Sequence, residues 1–358
     1  MKAVAVEPGK HESVHVRDDA ADPRLEPGHA LVRVLEAGVC GTDVEIHEGL
    51  FGQAPAGSPF LILGHENLGC VESAPPESGL AAGDLVVATV RRGCPEACRA
   101  CVSDQNDMCL TGHFLERGIA GLHGFMSERY SENPRYLVRL APRLRAVGVL
   151  MEPMSIVQKG IDQALRIQQR VSWDPRKAVV VGAGSIGMLA ALALRLRGLE
   201  VYVASLGPEG SAKAKLLGEI DVRYVSTSRT PLDQLPSQAG KIDMVFEASG
   251  ASAVVFDSMR ILGPNGICIL SSVTATGSNL DVDIGAWNRE MVLGNRLAFG
   301  TVNAGRRHFE AGARDLQAAE ALYPGWLSRM ITRRLPFAEA RQAMARGSGD
   351  IKTILEFS

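Results

Sequence analysis

The stretch KAVVVGAGSIG, residues 177–187, constrains the fold more than any other part of this sequence. Three glycines follow a run of β-branched residues in the spacing G-x-G-x-x-G: Gly182, Gly184 and Gly187. In this pattern the first glycine permits a tight turn, the second lets the backbone approach a pyrophosphate, and the third lets a helix pack closely on the strand. We therefore predict a strand, a turn and a helix that bind a dinucleotide, with Ser185 and Ile186 at the start of the helix.

The residues that follow continue this pattern. Short apolar strands alternate with helical segments from residue 176 to about residue 299, and the second strand is LEVYVAS, residues 199–205. This order is typical of a doubly wound parallel sheet with helices on both faces. We predict an α/β fold in which residues 156–299 form a Rossmann dinucleotide-binding domain.

The first part of the chain has a different character. Residues 1–155 contain short apolar or alternating runs bounded by glycine- and proline-rich turns, which favour a mostly β domain. A helical pattern over residues 151–170 links this domain to the next. The tail, residues 300–358, ends in a predicted helix over 337–347 and a strand over 351–357, and we expect it to return to the first domain.

Composition excludes several classes of partner. The formal net charge is only −2 and no Lys/Arg-rich run is present, so we expect no nucleic-acid partner. The longest uncharged apolar stretch, residues 178–194, contains the fingerprint glycines and falls short of the roughly 20 residues of a membrane-spanning helix. Because no signal peptide is recognisable at the start, we expect a cytoplasmic protein without membrane attachment.

Four of the seven cysteines are close together in the sequence. They follow the spacing C-x3-C-x2-C-x7-C: Cys94, Cys98, Cys101 and Cys109. In a cytoplasmic chain, such a group is best explained by a closed tetrahedral zinc site. The four thiolates leave no position for water, so this zinc would be structural and would form a lobe at about residues 91–112.

A second group of residues offers a mixed set of metal ligands. Cys40 opens the motif CGTDVEIHEG, His65 and Glu66 lie in GHENLG, and Glu152 lies in MEPMS. A thiolate, an imidazole and carboxylates suit zinc. From the residues alone, a buried cysteine, a structural histidine and surface glutamates explain the same positions equally well.

Together these motifs resemble the zinc-containing medium-chain alcohol dehydrogenases. The resemblance rests on CGTD at 40–43, GHE at 64–66, the four-cysteine lobe, Glu152-Pro153 and the glycine fingerprint, in this order along the chain. Within that family, the chain is similar to the microbial glucose (aldose) 1-dehydrogenases in particular. That similarity lies in residues 110–130, 168–173, 241–250 and 299–309.

The resemblance implies a GroES-like catalytic domain and a second, catalytic zinc. Its surroundings would be Cys40, His65, Glu66 and Glu152, with the two glutamates acting directly or through water. Thr42, Glu116 and Asn303 would face the substrate, Asn303 would also contact the cofactor, and Thr42 would pass on the proton of the substrate hydroxyl. Family members are usually homodimers or homotetramers. A zinc-free binding protein with this fold would have no need of Cys40, His65 and Glu66 together.

Departures from the family pattern widen the range of substrates. The first gap of the cysteine lobe is one residue longer than the usual C-x2-C. Val90 stands where the sugar dehydrogenases tend to carry Asn, and Ala120 stands where a His contacts the sugar; both changes remove polar groups. We expect hydride transfer from a hydroxyl of a polyhydroxylated substrate to NAD(P)+. An aldose oxidised at C1 is the leading substrate, and an alditol, a cyclitol or another secondary alcohol is the alternative.

The end of the second predicted strand decides between NAD and NADP. An acidic residue there binds the ribose 2′-hydroxyl of NAD, whereas an arginine accommodates the 2′-phosphate of NADP. This chain has neither in residues 204–207, ASLG. Ser205 can bind either form, and Lys213 or Lys215 can approach a phosphate, so both cofactors stay open with a preference for NADP.

Three further charged residues or histidines call for separate interpretation. We expect Asp43 to support the zinc-ligand turn as a hydrogen-bond acceptor. His47 is better explained as a loop histidine than as a proton relay, because it lies two positions beyond the usual relay position. Lys352 is a candidate for a phosphate or interface contact, but it is better explained as an ordinary surface charge.

Overall fold

The computed structural model describes residues 1–273, 279–345 and 347–357. The chain forms two compact units. The first comprises Met1–Ser155, Asn303–Glu320 and Leu327–Ser358, and the second comprises Ile156–Val302 and Ala321–Trp326.

Strands are distributed along the whole described chain. In order they are β1 (Ala3–Val6), β2 (His15–Arg17), β3 (Ala30–Val39), β4 (Leu61–Ile62), β5 (Glu66–Ser73), β6 (Leu85–Ala88), β7 (Arg91–Arg92), β8 (Leu115–Arg117), β9 (Gly121–Leu122), β10 (Arg129–Glu132), β11 (Leu137–Leu140), β12 (Lys177–Val181), β13 (Glu200–Ser205), β14 (Val222–Ser226), β15 (Met244–Glu247), β16 (Ile267–Leu270), β17 (Leu297–Gly300), β18 (Ile331–Pro336) and β19 (Lys352–Glu356).

Helices are concentrated after residue 150. They are α1 (Gly41–His47), α2 (Arg99–Val102), α3 (Met151–Ile167), α4 (Ser185–Leu196), α5 (Ala212–Gly218), α6 (Leu235–Ala239), α7 (Ser252–Arg260), α8 (Ile284–Leu293), α9 (Arg306–Leu322), α10 (Trp326–Met330) and α11 (Ala340–Met344). Short 3₁₀ turns lie at Pro76–Ser78, Asn106–Met108, Pro134–Tyr136, Pro142–Leu144, Gly148–Leu150, Gln168–Arg170, Leu232–Gln234 and Phe337–Glu339. No helix of the described residues is both long and apolar enough to cross a membrane.

The first unit is built around strand β3. Its large sheet has the order β11-β6-β5-β3-β19-β18, and β10 also pairs with β3. β3 is antiparallel to both β5 and β19, so a strand from the end of the chain lies directly beside the central strand. Apolar side chains of these strands form the core, which excludes water from the inner face of the sheet.

The second unit contains a six-stranded parallel sheet. Its order is β14-β13-β12-β15-β16-β17, which is the 3-2-1-4-5-6 order of doubly wound nucleotide-binding domains. The four central strands are almost wholly buried, as β-branched runs such as AVVV in β12 require, whereas the edge strands β14 and β17 are partly exposed. The predicted α/β fold is confirmed. The order reverses at β12, where the glycine fingerprint begins.

The tail differs from its predicted structure. The predicted helix over 337–347 is a 3₁₀ turn followed by the short α11, and Arg346 lies outside the described residues. The 17-residue helix α9 was not predicted, although its buried residues Phe309, Ala313, Leu316 and Ala319 recur at helical spacing. The predicted strand at the end of the chain is observed as β19.

Candidate functional site

Three predicted metal ligands lie together in the first unit. Ligand atoms of Cys40, His65 and Glu66 are all within 4.8 Å of one another, and the Sγ atom of Cys40 is 3.0 Å from Nε2 of His65. His65 and Glu66 are buried, and Cys40 is half-buried. A thiolate, an imidazole nitrogen and a carboxylate at these separations match the donor set of a catalytic zinc site.

Local hydrogen bonds fix the position of Cys40. Cys40 precedes helix α1, and its backbone N–H donates to Oδ2 of Asp43 at 2.9 Å. The other oxygen of Asp43, Oδ1, lies 3.6 Å from Nδ1 of His65, and among the described residues neither of these buried atoms has a hydrogen-bond partner. A cation on Nε2 of His65 would favour a proton on Nδ1 that faces Asp43. These two atoms therefore fit a metal site, and Asp43 has the supporting place that we predicted.

Close backbone packing positions His65. The preceding residue, Gly64, has φ +93°, and a Cβ atom there would lie 2.5 Å from Cγ of Met126. A Cβ atom on Gly118 would come within 2.4 Å of the Gly64 carbonyl oxygen. Glycine is therefore required at position 64 by Met126 and by the positive φ, and at position 118 by the carbonyl oxygen of Gly64. These contacts hold the turn between β4 and β5 against the loop that follows β8.

Glu66 has a partner that the sequence did not suggest. Its carboxylate forms an ion pair with the ammonium group of Lys352 on β19, and both side chains are almost fully buried. The prediction of a surface position for Lys352 is wrong, because β19 lies inside the sheet next to β3. The ion pair passes over Gly38, where an added Cβ atom would lie 1.8 Å from Oε2 of Glu66.

The fourth predicted residue, Glu152, is in the first turn of α3 and is also buried. Burial is the main cause that raises the pKa of its carboxyl to about 7. The charge of Glu66 raises this pKa further, whereas His65 lowers it. The carboxylate of Glu152 thus interacts electrostatically with the site, but it is outside the group of three ligand atoms.

The pKa of His65 is affected by its neighbours in the site. Burial lowers this pKa, yet Cys40 and Asp43 outweigh burial and raise it well above its ordinary value. The negative groups that favour a proton here also favour a metal cation.

The predicted substrate residues Glu116 and Asn303 are in direct contact. Nδ2 of Asn303 donates to Oε1 of Glu116 at 2.9 Å, and Asn303 adopts a left-handed conformation with φ 59°. Nε and Nη2 of Arg91 also contact this oxygen, at 3.0 and 2.9 Å. All three side chains are buried. Arg91 donates in addition to the Asp107 carbonyl oxygen and stacks on the ring of Phe114, so the carboxylate of Glu116 has a fixed orientation.

Thr42 and His47 are both on α1. Thr42 is half-buried, two residues after Cys40. Nδ1 of His47 accepts the backbone N–H of Val14 at 3.3 Å, and burial lowers the pKa of this histidine. The neutral ring thus secures the end of the helix. The expected loop position is wrong, because His47 is the last residue of α1.

The four clustered cysteines converge as predicted. Their Sγ atoms all lie within 4.8 Å of one another. Ala97 takes a left-handed conformation, φ 48°, which accommodates the extra residue in the first gap. Backbone hydrogen bonds from Leu110 and Cys101 lower the pKa of Cys98 to about 6 and favour the thiolate that zinc binds. The arrangement fits a structural zinc ion.

In the second unit, the glycine fingerprint forms the predicted strand, turn and helix. Gly182 follows β12 with φ +104°, and a Cβ atom on Gly187 would lie 2.0 Å from the Gly182 carbonyl oxygen. Gly184 immediately precedes α4, and the space beside it is open. Ser185 and Ile186 begin α4, whose free backbone N–H groups favour a phosphate. The loop is thus shaped to hold a pyrophosphate.

Comparisons with known proteins identify the family of this chain. The model of the alcohol dehydrogenase GroES-like domain matches residues 26–142, and that of the glucose dehydrogenase C-terminus matches residues 145–357. The glucose 1-dehydrogenase of Methanocella arvoryzae is 44% identical over 357 residues, 99% of each chain. Glucose 1-dehydrogenase 1 of Caldivirga maquilingensis is 41% identical over 360 residues, covering 100% of this chain and 99% of the relative.

A solved structure extends this similarity to the fold. Haloferax mediterranei glucose dehydrogenase in complex with NADP, Zn and gluconolactone has a TM-score of 0.92 and 35% identity, covering 100% of this chain and 99% of that chain. The chain belongs to the glucose 1-dehydrogenase family of zinc-containing medium-chain alcohol dehydrogenases. It is therefore a zinc-dependent, NAD(P)-dependent oxidoreductase, and the predicted family resemblance is confirmed.

The sequence analysis did not identify the roles of three residues beside the candidate metal and substrate residues of this glucose 1-dehydrogenase family member. Lys352 carried a signal, since a lysine interrupts the apolar strand IKTILEF. Arg91 carried a weaker one, the doubled arginine just before the cysteine lobe. Gly38 carried none, because its role depends on the strands that pair on either side of it.

Proposed function

We propose that this chain oxidises the C1 hydroxyl of an aldose such as glucose or galactose to the lactone, with NADP+ as the preferred hydride acceptor. The observation that carries the proposal is the buried contact between Asn303, Glu116 and Arg91. A fixed carboxylate and amide suit a ligand with several adjacent hydroxyl groups, because each hydroxyl both donates and accepts hydrogen bonds. The similarity to glucose 1-dehydrogenases over the whole chain supports the same substrate class.

In this proposal Cys40, His65 and Glu66 hold the catalytic zinc, and Glu152 contributes directly or through water. Bound zinc supplies a Lewis acid that lowers the pKa of a ligated hydroxyl. Asp43 orients His65, and Lys352 keeps the carboxylate of Glu66 in place within the sheet. Thr42 passes on the proton of the substrate hydroxyl, accepting it while donating its own proton to water. The four-cysteine lobe holds a second, structural zinc through Cys94, Cys98, Cys101 and Cys109.

The second unit takes the nucleotide in this proposal. Gly182, Gly184 and Gly187 hold the pyrophosphate at the start of α4, together with Ser185 and Ile186. The bound nicotinamide supplies the hydride acceptor. Ser205, at the end of β13, lies on the side of the adenosine ribose. We also assign Asn303 a contact with the cofactor, in addition to its contact with the substrate. We assign catalysis to the first unit and nucleotide binding to the second.

We further propose that the enzyme is a cytoplasmic homodimer or homotetramer. The four reduced cysteines of the structural site suit a reducing compartment. β17 is at an edge of its sheet, and the nearby helix α8 has no buried residue although it carries Ile284, Val292 and Leu293. An exposed edge strand beside exposed apolar side chains is a surface that a second copy of the chain can cover.

A second candidate function follows from Val90 and Ala120. Val90 is 2% exposed, and Ala120 packs against the same apolar core. Neither position offers a polar group, in contrast to the sugar dehydrogenase pattern. An alditol, a cyclitol or another secondary alcohol that makes no polar contact at these two positions would suit this apolar wall.

The deciding experiment is reduced-nicotinamide formation by zinc-loaded protein on a panel of aldoses, alditols and cyclitols, with NAD+ and NADP+ in parallel. Oxidation of glucose or galactose at C1, with the lactone identified by NMR, is the expected result. Turnover of alditols or cyclitols alone would support the second candidate. A protein that binds zinc and nucleotide but oxidises no member of the panel would contradict the aldose assignment and the alditol and cyclitol alternatives.

A further inference from the structure

A cleft of about 480 Å³ lies at one end of the sheet in the second unit. The loops that follow β13 and β14 line it, and the last residues of these strands, Ser205 and Ser226, are neighbours in the parallel ladder. Two hydrogen bonds fasten the loops together. Oγ of Ser228 donates to the Leu206 carbonyl oxygen at 2.9 Å, and the hydroxyl of Tyr224 donates to the Gly207 carbonyl oxygen at 3.0 Å.

The position of this cleft relative to the fingerprint identifies its ligand. Gly184 is at the carboxyl end of β12, and β13 and β14 are the next two strands on one side. Strands are about 4.8 Å apart, so a nucleotide whose pyrophosphate lies at Gly184 places its adenosine ribose over the end of β13. The cleft therefore lies where the 2′ position of that ribose belongs, which is the position that distinguishes NADP from NAD.

Two opposite charges line this cleft. Nη1 of Arg229, on the turn after β14, is 3.9 Å from Oε2 of Glu209, on the loop after β13. Their side chains are 79% and 52% exposed, so the pair is weak and each group is available to a ligand. Arginine binds phosphate with several parallel hydrogen bonds, whereas a carboxylate repels it. Among the described residues that line the cleft, Arg229 is the cationic one.

Resting on the proposed function, we propose that Arg229 selects the 2′-phosphate of NADP and that Glu209 opposes this selection. The selecting arginine thus comes from the third strand of the sheet, in place of the second-strand residue that ASLG lacks. A 2′-phosphate displaces Glu209 from Arg229, with the hydroxyl of Ser228 in the same cleft and Ser205 at the end of β13. Without the phosphate, Glu209 is free to accept a hydrogen bond from a ribose hydroxyl. The preference between NADP and NAD therefore depends on how strongly Arg229 attracts the 2′-phosphate and how strongly Glu209 repels it.

The test measures nucleotide binding without catalysis. Isothermal titration calorimetry at fixed ionic strength gives the Kd of adenosine 2′,5′-bisphosphate and of adenosine 5′-monophosphate, two fragments that differ only in the 2′-phosphate. The variants are Arg229→Gln and Glu209→Gln. Lys213→Gln and Lys215→Gln are matched controls, because each removes one positive charge from helix α5 near the same loops. Thermal melting confirms that each variant is folded.

The expected changes have opposite signs. Arg229→Gln weakens the bisphosphate about tenfold or more and changes the Kd of the monophosphate less than about twofold, while Glu209→Gln strengthens the bisphosphate severalfold. An equal effect of Arg229→Gln on both fragments, or no effect, would overturn the proposal. So would a loss of selectivity in Lys213→Gln or Lys215→Gln instead. If the unchanged protein bound neither fragment and neither cofactor, the proposed function would be contradicted as well. If it bound the bisphosphate selectively but Arg229→Gln had no effect, only the role of Arg229 would be contradicted and the proposed function would be retained.

Discussion

The carboxylate of Glu66 and the ammonium group of Lys352 form a buried ion pair across the central strand of the first unit. Glu66 begins β5, Lys352 begins β19, and Gly38 lies between them on β3. The proposed third metal ligand is therefore held by a strand that comes almost 300 residues later in the chain. If Glu66 holds the catalytic zinc as proposed, we expect activity to depend on the docking of the chain end through this pair.

Replacing Lys352 by methionine should reduce both stability and activity. The substitution leaves a buried carboxylate without its cation, and breaking a buried pair in this way costs about 3–5 kcal/mol. We expect the free energy of unfolding in urea to fall by that amount, and kcat to fall because Glu66 is no longer held over Gly38.

The matched variant is Lys352→Arg, which keeps the positive charge at the same place in β19. It should recover most of the stability and part of the activity. If Lys352→Met unfolded at the same urea concentration as the unchanged protein, the ion pair would have no structural role.

Substitution of Gly38 by alanine tests the space that the pair requires. The new Cβ atom would meet Oε2 of Glu66 at 1.8 Å and Cε of Lys352 at 2.8 Å. Both side chains would have to move, and we expect loss of activity and weaker binding of the catalytic zinc. Gly349→Ala is the control, since nothing lies within 4 Å of its added Cβ atom. Equal zinc content and turnover in the two variants would argue against a role for this contact.

The parts of the fold that could be predicted are those with a local signal. Gly182, Gly184 and Gly187 indicated a strand, a turn and a helix because they lie in one short segment, in which Gly182 has a positive φ and Gly187 packs against the Gly182 carbonyl oxygen. The four cysteines were equally readable, since their ligand atoms come from a single short segment.

The rest depends on distant strand pairing. Lys352 looked like a surface charge because nothing near it in the sequence shows that β19 pairs with β3 inside a sheet. Arg229 was overlooked for a related reason: it is 24 positions after Ser205, yet the parallel pairing of β13 and β14 brings their loops together. A sequence pattern can predict that a segment is a strand, but the order of strands in the sheet decides which distant residues come into contact.

The two proposed zinc sites should separate in a pair of single substitutions. Cys40→Ser removes a ligand of the catalytic site, and we expect near-complete loss of activity with nucleotide binding retained. Cys98→Ser removes a ligand of the four-cysteine site, and we expect a lower melting temperature with a smaller effect on kcat. Each variant should bind about one zinc per chain fewer, as measured by atomic emission. Full activity of Cys40→Ser would contradict the catalytic site, and an unchanged melting temperature and zinc content of Cys98→Ser would contradict the structural one.

Stability at acidic pH should depend on Glu132. Burial opposes ionisation of this carboxyl, but Arg92 and Arg117 outweigh it and hold its pKa below the ordinary value. A carboxyl with a lowered pKa stabilises the fold above its unfolded pKa of about 4.3, and that contribution is lost as the pH falls through the folded value. We expect Glu132→Gln to lower the free energy of unfolding by about 3 kcal/mol at pH 7. The difference from the unchanged protein should shrink steadily below about pH 4.3.

Urea unfolding of both proteins across this pH range measures that difference. Protonation of the zinc-bound thiolates affects both proteins alike and cancels in the comparison. Glu77→Gln, at an exposed position, is the control and should show no such trend. A difference between Glu132→Gln and the unchanged protein that does not vary with pH would mean that packing, and not charge, explains the effect of Glu132.

Glu116 should control affinity for the sugar more than affinity for the nucleotide. In Glu116→Gln the side chain keeps its shape but loses its charge, and a hydrogen bond to a charged group contributes about 1.5–3 kcal/mol. We expect the KM for the aldose to rise about 10- to 100-fold while the Kd of the nucleotide stays the same. Arg91→Lys keeps a positive charge but loses the two-point contact through Nε and Nη2, so it should raise KM by a smaller factor. Steady-state kinetics and nucleotide titration on the same preparations separate the two effects. An unchanged KM in Glu116→Gln, or a KM and a nucleotide Kd that rise together, would remove Glu116 from the substrate site.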